Sequence, residues 1–280
     1  MTTDAFEARV QKVSDVLSAP DPYLQDGLAT FHNHDFMADP AFRSAYARGV
    51  AAAGQDYGWH WRVHIGLWAA RTAVALPGDF VECGVNAGFL SSSIMQALDW
   101  NRLDKTFYLL DTFAGLDARF VSDQERRDGI LEKNQAMIDN GFYVLDFAAV
   151  RRNFSEWRRV KIVKGSIPET LDQIESRRVA FVHIDLNCAP PEVAALRFLW
   201  DRLVPGAIVL LDDYAFAGYQ VQKNAMDQLA LELGVAIASL PTGQGLLIRP
   251  PTDAAAAPRP AAAPAGWRSR LQRLVQAWRG

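Results

Sequence analysis

Carboxylates at the ends of short apolar runs are the residues of this sequence whose type and spacing could do chemistry. Glu82 follows Phe80-Val81 and precedes a turn bearing Gly84 and Gly88; Asp111-Thr112 closes the run from Thr106, Asp185 the run from Val179, and Asp212-Asp213 the run from Ala207. A glycine turn lets a ligand approach the backbone closely. A helix beginning just after it, predicted over Phe89 to Leu98, offers free N–H groups and the positive end of its dipole. Such a strand, turn and helix suit a nucleotide. Asp111 stands 23 positions after Gly88, the offset at which a carboxylate at the second strand tip accepts both hydrogen bonds of a ribose diol. Asp185, Asp212 and Asp213 raise a different question, because crowded carboxylates resist ionising together unless positive charge neutralises them. A hard divalent cation such as Mg²⁺ answers it, and could bind neighbouring hydroxyls of an acceptor and lower the proton affinity of one. The alternative for Asp212-Asp213 is one carboxylate capping the next helix while the other faces water.

The elements that must hold these residues follow from the pattern. From Gly78 onward strands alternate with helices, the signature of a parallel sheet covered on both faces, with strands predicted at Phe80–Val85, Thr106–Leu110, Val160–Lys164, Val179–Asp185 and Ala207–Leu211. Val235–Leu240 and Gly245–Ile248 are joined by Pro241-Thr242-Gly243-Gln244, too short for a crossover helix, so they should be antiparallel neighbours. This α/β order, five parallel strands and a closing hairpin, resembles the Rossmann-like seven-stranded sheet of the class I S-adenosylmethionine-dependent methyltransferases. Residues 1–77 read as a helical extension and 78–249 as the main domain, with helices before Pro20, over Pro40–Ala53 and from Trp59 toward Ala75. Between the second and third strands, Val121–Phe154 reads as two helices whose charges form a solvated face, with a role in covering the substrate pocket as the alternative. An acceptor pocket would be built from the extension and this insertion.

Past Pro250-Pro251 the composition turns to Ala and Pro, a linker over 250–266. Residues 267–280 place Trp267, Leu271, Leu274, Val275 and Trp278 on one helical face, with Arg268, Arg270, Arg273 and Arg279 and no acid. A basic amphipathic helix suits weak contact with an anionic membrane surface or a partner groove, or docking on its own domain.

Composition narrows the classes. With 280 residues, 50% hydrophobic and 22% charged, the chain reads as soluble and globular, and a net charge of -3 with pI near 6.0 gives no general electrostatic case for nucleic acid. Two cysteines, Cys83 and Cys188, make no disulfide framework and suit a reducing cytoplasm. No run approaches the roughly 18 apolar residues of a membrane span, and Asp4, Glu7 and Asp15 do not suit a secretory signal.

Val81-Glu82-Cys83-Gly84-Val85 with Gly88, Asp111-Thr112-Phe113-Ala114-Gly115-Leu116, His183-Ile184-Asp185-Leu186 and Pro205-Gly206 through Asp212-Asp213-Tyr214, in this order, resemble the macrocin O-methyltransferase family. The resemblance covers roughly Trp59 to Arg249 and implies methylation of sugar hydroxyls with S-adenosylmethionine and Mg²⁺. It implies that Glu82, Gly84, Asn86 and Gly88 hold the methionine part of the cofactor, Asp111 and Thr112 its ribose side, Gly165 and Ser166 the adenine edge, and Asp185, Asp212 and Asp213 the metal. One position departs. The family pattern carries a second acid two residues after the first metal aspartate, resembling a general base, whereas Asn187 stands here, and an amide accepts no proton at neutral pH. His183, on the same strand face as Asp185, becomes a candidate base, against the alternative of a satisfied core histidine. Two other readings remain: a cofactor-binding module that lost its base, and a nicotinamide-dependent oxidoreductase, which the missing G-x-G-x-x-G at the first turn disfavours.

Overall fold

The structure, a computed structural model, describes residues 11–15, 17–18 and 20–251. The chain divides into two units, Met1–Arg249 and Pro250–Gly280. Most of the helix expected before Pro20, the linker from residue 252 onward and the basic helix over 267–280 lie outside the described residues.

The N-terminal segment forms a hairpin, β1 (Tyr23–Gln25) and β2 (Leu28–Thr30), then helices α1 (Pro40–Ala53) and α2 (His60–Ala73). After it come β3 (Asp79–Cys83), α3 (Phe89–Ala97) and β4 (Phe107–Asp111), then the insertion α4 (Asp123–Arg127), α5 (Ile130–Asp139) and α6 (Phe147–Asn153). The chain continues through β5 (Val160–Lys164), β6 (Val179–Ile184), α7 (Ala189–Trp200), β7 (Leu203–Leu211), α8 (Gln220–Leu233), β8 (Ala238–Ser239) and β9 (Gly245–Ile248). Strands order as β5-β4-β3-β6-β7-β9-β8, parallel through β7, with β9 antiparallel to both β7 and β8. The expected sheet is therefore present, and its order reverses between β3 and β6, where ligands bind in open α/β sheets.

Burial explains why these runs are strands. All six residues of β6 and four of the five in β3 are buried, as both-face coverage demands of parallel strands. Near the amino ends, Phe80 packs on Trp100, Phe107 and Phe181 with ring centroids 5.3, 5.7 and 5.1 Å away. Each such fully buried side chain contributes about 1.5–3 kcal/mol. The carboxyl ends stay polar.

Two expectations need correction. The extension is not purely helical: Asp26 and Gly27, at φ 53° and 70°, form the two-residue turn of the β1–β2 hairpin. Asp-Gly is a hairpin signal, but strands of three residues leave no period to read. The insertion holds three helices rather than two. Ser122 and Glu125 form a capping box that starts α4, Gly129 at φ 79° separates α4 from α5, and Asp146 accepts from Ala149 N–H to start α6.

Candidate active site at the carboxyl edge of the sheet

The tip of β3 is shaped by its neighbours. Gly84 N–H donates to Leu110 O at 2.8 Å, and a Cβ at Gly84, whose φ is +89°, would stand 1.7 Å from the Asp185 carbonyl oxygen. Only glycine lets the two strand tips approach this closely. Glu82 and His183 are paired in register across β3 and β6, so their side chains share a face, and His183 Nδ1 lies 2.9 Å from Glu82 Oε1. The other oxygen, Glu82 Oε2, is buried with no hydrogen-bond partner among the described residues. A buried carboxylate oxygen left open is costly unless a ligand donates to it.

Asp111 and Asn86 line the cavity beside Gly84, as expected, and also hold the turn in shape. Asp111 Oδ2 accepts from the N–H groups of Val85 and Asn86 at 2.7 and 2.8 Å, and its Oδ1 accepts from Phe113 N–H at 2.6 Å. Its carboxylate thus moulds the Gly84 turn, leaving it less free to take both hydroxyls of a ribose. Asn86, at φ 49°, donates to Phe142 O and accepts from Val144 N–H, so its amide ties the turn to the insertion. Thr112 Oγ1 donates to Gly115 O at 2.6 Å, closing the loop after β4. Gly88 (φ 85°) caps α3. Gly165 and Ser166 line a narrow slot with Phe113, Ile167 and Leu186, and Ser166 Oγ donates to Asp117 Oδ2 at 2.6 Å. Flat apolar walls beside a polar edge suit a purine.

Asp185 and Asp212 continue the backbone ladder one residue past β6 and β7: Asp185 N–H donates to Cys83 O at 2.8 Å and Asp212 N–H to Ile184 O at 2.9 Å. Their side chains meet at one cavity with Asp213. Positive charge is already there, from a source the sequence reading missed. Arg62, buried on α2, sends Nη1 to Asp212 Oδ2 at 2.5 Å, stands 3.7 Å from Asp213 Oδ1, and sends Nε to Asp26 Oδ2 at 2.7 Å. Burial works against the guanidinium, but Asp212, Asp26 and Asp213 outweigh it and hold its proton more tightly. A signal existed: Arg62 lies among Val63, Gly66, Leu67 and Ala70 on the buried side of α2. A cation on an apolar face needs an anionic partner.

Asp212 is the best compensated acid. Burial would raise its proton affinity, but Arg62, His183 and Gln244 reverse this and hold it well below the usual carboxylate range. Burial and the charge of Asp212 push Asp213 up to about 7, and burial with the charges of Asp212 and Asp213 raises Asp185 well above its ordinary value. His183 Nε2 stands 3.5 Å from Asp212 Oδ1, an ion-pair distance rather than a hydrogen bond. Burial opposes a charge on this imidazole, yet Asp212 and Glu82 overcome it and push its pKa up to about 10. Placed between two acids that favour its charged form, His183 is poorly set to accept a proton, which weighs toward the alternative of a core histidine.

For a divalent cation the donor chemistry fits in part. Among the described residues, Asp185 has only the neutral Asn187 amide as side-chain hydrogen-bond donor, at 3.0 Å, and Asp213 only the edge of Arg62 at 3.7 Å as an ion pair, so two hard oxygen donors lack full compensation. Asp212 is committed elsewhere, and among the described residues no three His, Cys, Asp or Glu side chains are gathered around one point. The expected triad is thus brought to one cavity without being arranged as a triad.

That cavity, roughly 370 Å³, has the Gly84 turn, Glu82 and the acids on one side. The other side comes from the extension and the insertion: Tyr57, Trp59 and Arg62, then Lys133, Met137, Phe142 and Tyr143. Trp59 and Phe142 rings lie 4.4 and 5.2 Å from Tyr57, an aromatic wall opposite a charged floor. The insertion therefore lines the site, in line with the expected acceptor pocket, and its charge run is not a solvated face alone.

This sheet order, with a glycine turn and acidic strand tips at its carboxyl edge, is that of the class I S-adenosylmethionine-dependent methyltransferases. The fold is shared with the O-methyltransferase NovP, at a TM-score of 0.61 and 19% identity over 78% of this chain and 100% of that one. It is also shared with the calicheamicin methyltransferase CalS11, at 0.50 and 17% over 89% and 93%. Residues 69–230 match the Macrocin-O-methyltransferase (TylF) family, and the chain belongs to that family. Among curated relatives, an 8-demethyl-8-(2,3-dimethoxy-alpha-L-rhamnosyl)-tetracenomycin-C 4'-O-methyltransferase of Streptomyces olivaceus is 30% identical over 149 residues, 51% of this chain and 55% of that protein. A Mycinamicin III 3''-O-methyltransferase of Micromonospora griseorubida is 26% identical over 148 residues, 50% and 56% respectively. The chain spans about half the length of the curated relatives it matches.

Proposed function

We propose that this protein transfers a methyl group from S-adenosylmethionine to a hydroxyl of a sugar carried by a natural product or glycan, with a divalent cation such as Mg²⁺ held by Asp185 and Asp213. The observation that carries the reading is Glu82 Oε2, buried and without a hydrogen-bond partner among the described residues, beside the Gly84 turn in the acid-lined cavity. The ammonium of a methionine moiety is the donor this oxygen lacks. Both relatives are named for methylating hydroxyls of glycosylated natural products, and family membership together with the antiparallel closing pair speaks against the oxidoreductase alternative.

In this reading Glu82 and the β3 turn bind the amino-acid end of the cofactor, and the slot at Phe113, Ser166 and Leu186 takes the adenine. The aromatic wall of Tyr57, Trp59 and Phe142 covers the apolar face of the sugar and excludes water. Arg62 braces Asp212 so that the β7 tip does not move as charge shifts nearby. When bound, the cation would polarise the acceptor oxygen.

Calorimetric titration with S-adenosylhomocysteine, with and without MgCl₂, tests the reading. Binding is expected, and Glu82→Gln should weaken it by roughly 10- to 150-fold, the value of one charge-assisted hydrogen bond of about 1.5–3 kcal/mol. Absence of binding by the native chain under both conditions would refute a methyltransferase. Binding without methyl transfer to any glycoside would favour the binding module.

A further inference from the structure

A hydroxyl that is methylated must lose its proton, and neither position considered for that task supplies a receiver. Asn187 is an amide, and His183 turns both ring nitrogens toward acids, Nδ1 to Glu82 and Nε2 to Asp212. Asn187 is nevertheless part of a chain of contacts. Its Oδ1 accepts from the Tyr219 hydroxyl at 2.9 Å, and its Nδ2 donates to Asp185 Oδ1 at 3.0 Å. Tyr219, buried at the cavity, accepts in turn from Lys133 Nζ at 2.5 Å, and Nζ lies 4.0 Å from the centroid of its ring. Among the described residues no carboxylate lies within ion-pair distance of Lys133. A lysine from the insertion thus reaches the amide of Asn187 through the Tyr219 hydroxyl.

Resting on the methyltransferase reading above, we propose that Lys133 takes the proton of the acceptor hydroxyl, that Tyr219 positions its amine, and that Asn187 makes this workable by keeping the far end of the chain uncharged. A carboxylate at 187 would attract an ammonium and keep the lysine protonated; an amide does not. Partial burial lowers the proton affinity of Lys133, with the charge of Asp213 acting in the opposite sense. Tyr57, Tyr143, Arg62, Glu82, His183, Asp111, Asp26, Asp185 and Asp212 are the other charged or titratable groups that line this cavity. In the step, the acceptor oxygen forms its bond to the methyl carbon while the carbon–sulfur bond breaks with its electron pair going to sulfur. The hydroxyl proton goes to the lone pair of Lys133 Nζ. The Lys133 side chain is partly buried at the cavity and partly open to solvent, so its ammonium can return its proton to water.

The test uses the full chain labelled with ε-¹³C lysine, whose six lysines give few resonances to assign. The Lys133 signal should titrate below the ordinary lysine range, and Asn187→Asp should move it back up. With S-adenosylmethionine, MgCl₂ and p-nitrophenyl α-L-rhamnoside as acceptor, Lys133→Ala should lower kcat by roughly 10²- to 10⁴-fold with little change in KM. Added methylamine should restore turnover, more so as the pH favours its free base, which loss of a merely structural or anion-binding lysine would not show. A Lys133 that titrates normally in the native chain, or a folded Lys133→Ala within about threefold of native kcat, would overturn the proposal. S-adenosylhomocysteine calorimetry on the same native sample separates the two failures: no binding defeats the methyltransferase reading, whereas binding with an ordinary Lys133 defeats only this inference.

Discussion

At the scale of single residues, the site depends on contacts that leave no freedom of choice. Gly84 is one, since any side chain there meets the Asp185 carbonyl in a left-handed conformation. Gly84→Ala should therefore force β3 and β6 apart at their tips and lower stability by at least about 3 kcal/mol, strain and displacement together, which is roughly 6–12 °C of melting temperature for a domain of this size. Differential scanning calorimetry measures it, and an unchanged melting temperature would mean that the tips separate freely. Asp111 makes the complementary point. Its type and offset were legible, but the number of backbone N–H groups already pointing at it was not, because those come from a turn folded back from another strand.

At the scale of elements, α7 carries a buried acid that should give the fold a measurable pH dependence. Glu192 on α7 accepts from Gln222 of α8 at 3.2 Å, and burial, with Asp213 and Glu125 nearby, pushes its pKa up to about 8 from an ordinary 4.5. The folded chain then holds a proton that the unfolded chain releases. The stability tied to this group is complete below about pH 4.5 and is lost as pH rises through about 8. Glu192→Gln should flatten the fall in melting temperature between pH 5 and pH 8.5 and raise it at the alkaline end. Parallel melting series check this, and an unaltered slope would show that Glu192 ionises without cost. The insertion teaches a related lesson. Its charges do face solvent for the most part, but Lys133, Met137, Phe142 and Tyr143 line the cavity, and no helical period distinguished them from their exposed neighbours.

For the whole molecule, occupation of the cofactor site should tie the Gly84 turn, the β4 loop and the insertion together. S-adenosylhomocysteine at 100 times its dissociation constant should stabilise the chain by about 2.7 kcal/mol, roughly 5–10 °C in melting temperature. Differential scanning fluorimetry decides it. From sequence alone, the arginines of 267–280 should give the full chain weak, salt-sensitive partition onto anionic vesicles that a 1–250 truncation lacks, and equal co-sedimentation of the two would remove that idea. The sequence by itself determined the sheet, its antiparallel closing pair, the glycine turn and the acids at the strand tips, because period, turn residues and strand-end chemistry are local properties that survive without neighbours. Only the tertiary structure decided which acids are compensated and which are not. Arg62 to Asp212 and Asp26, His183 between Glu82 and Asp212, and Lys133 on Tyr219 each join elements distant in the chain. The state of a charge depends on what packing brings within a few ångströms of it.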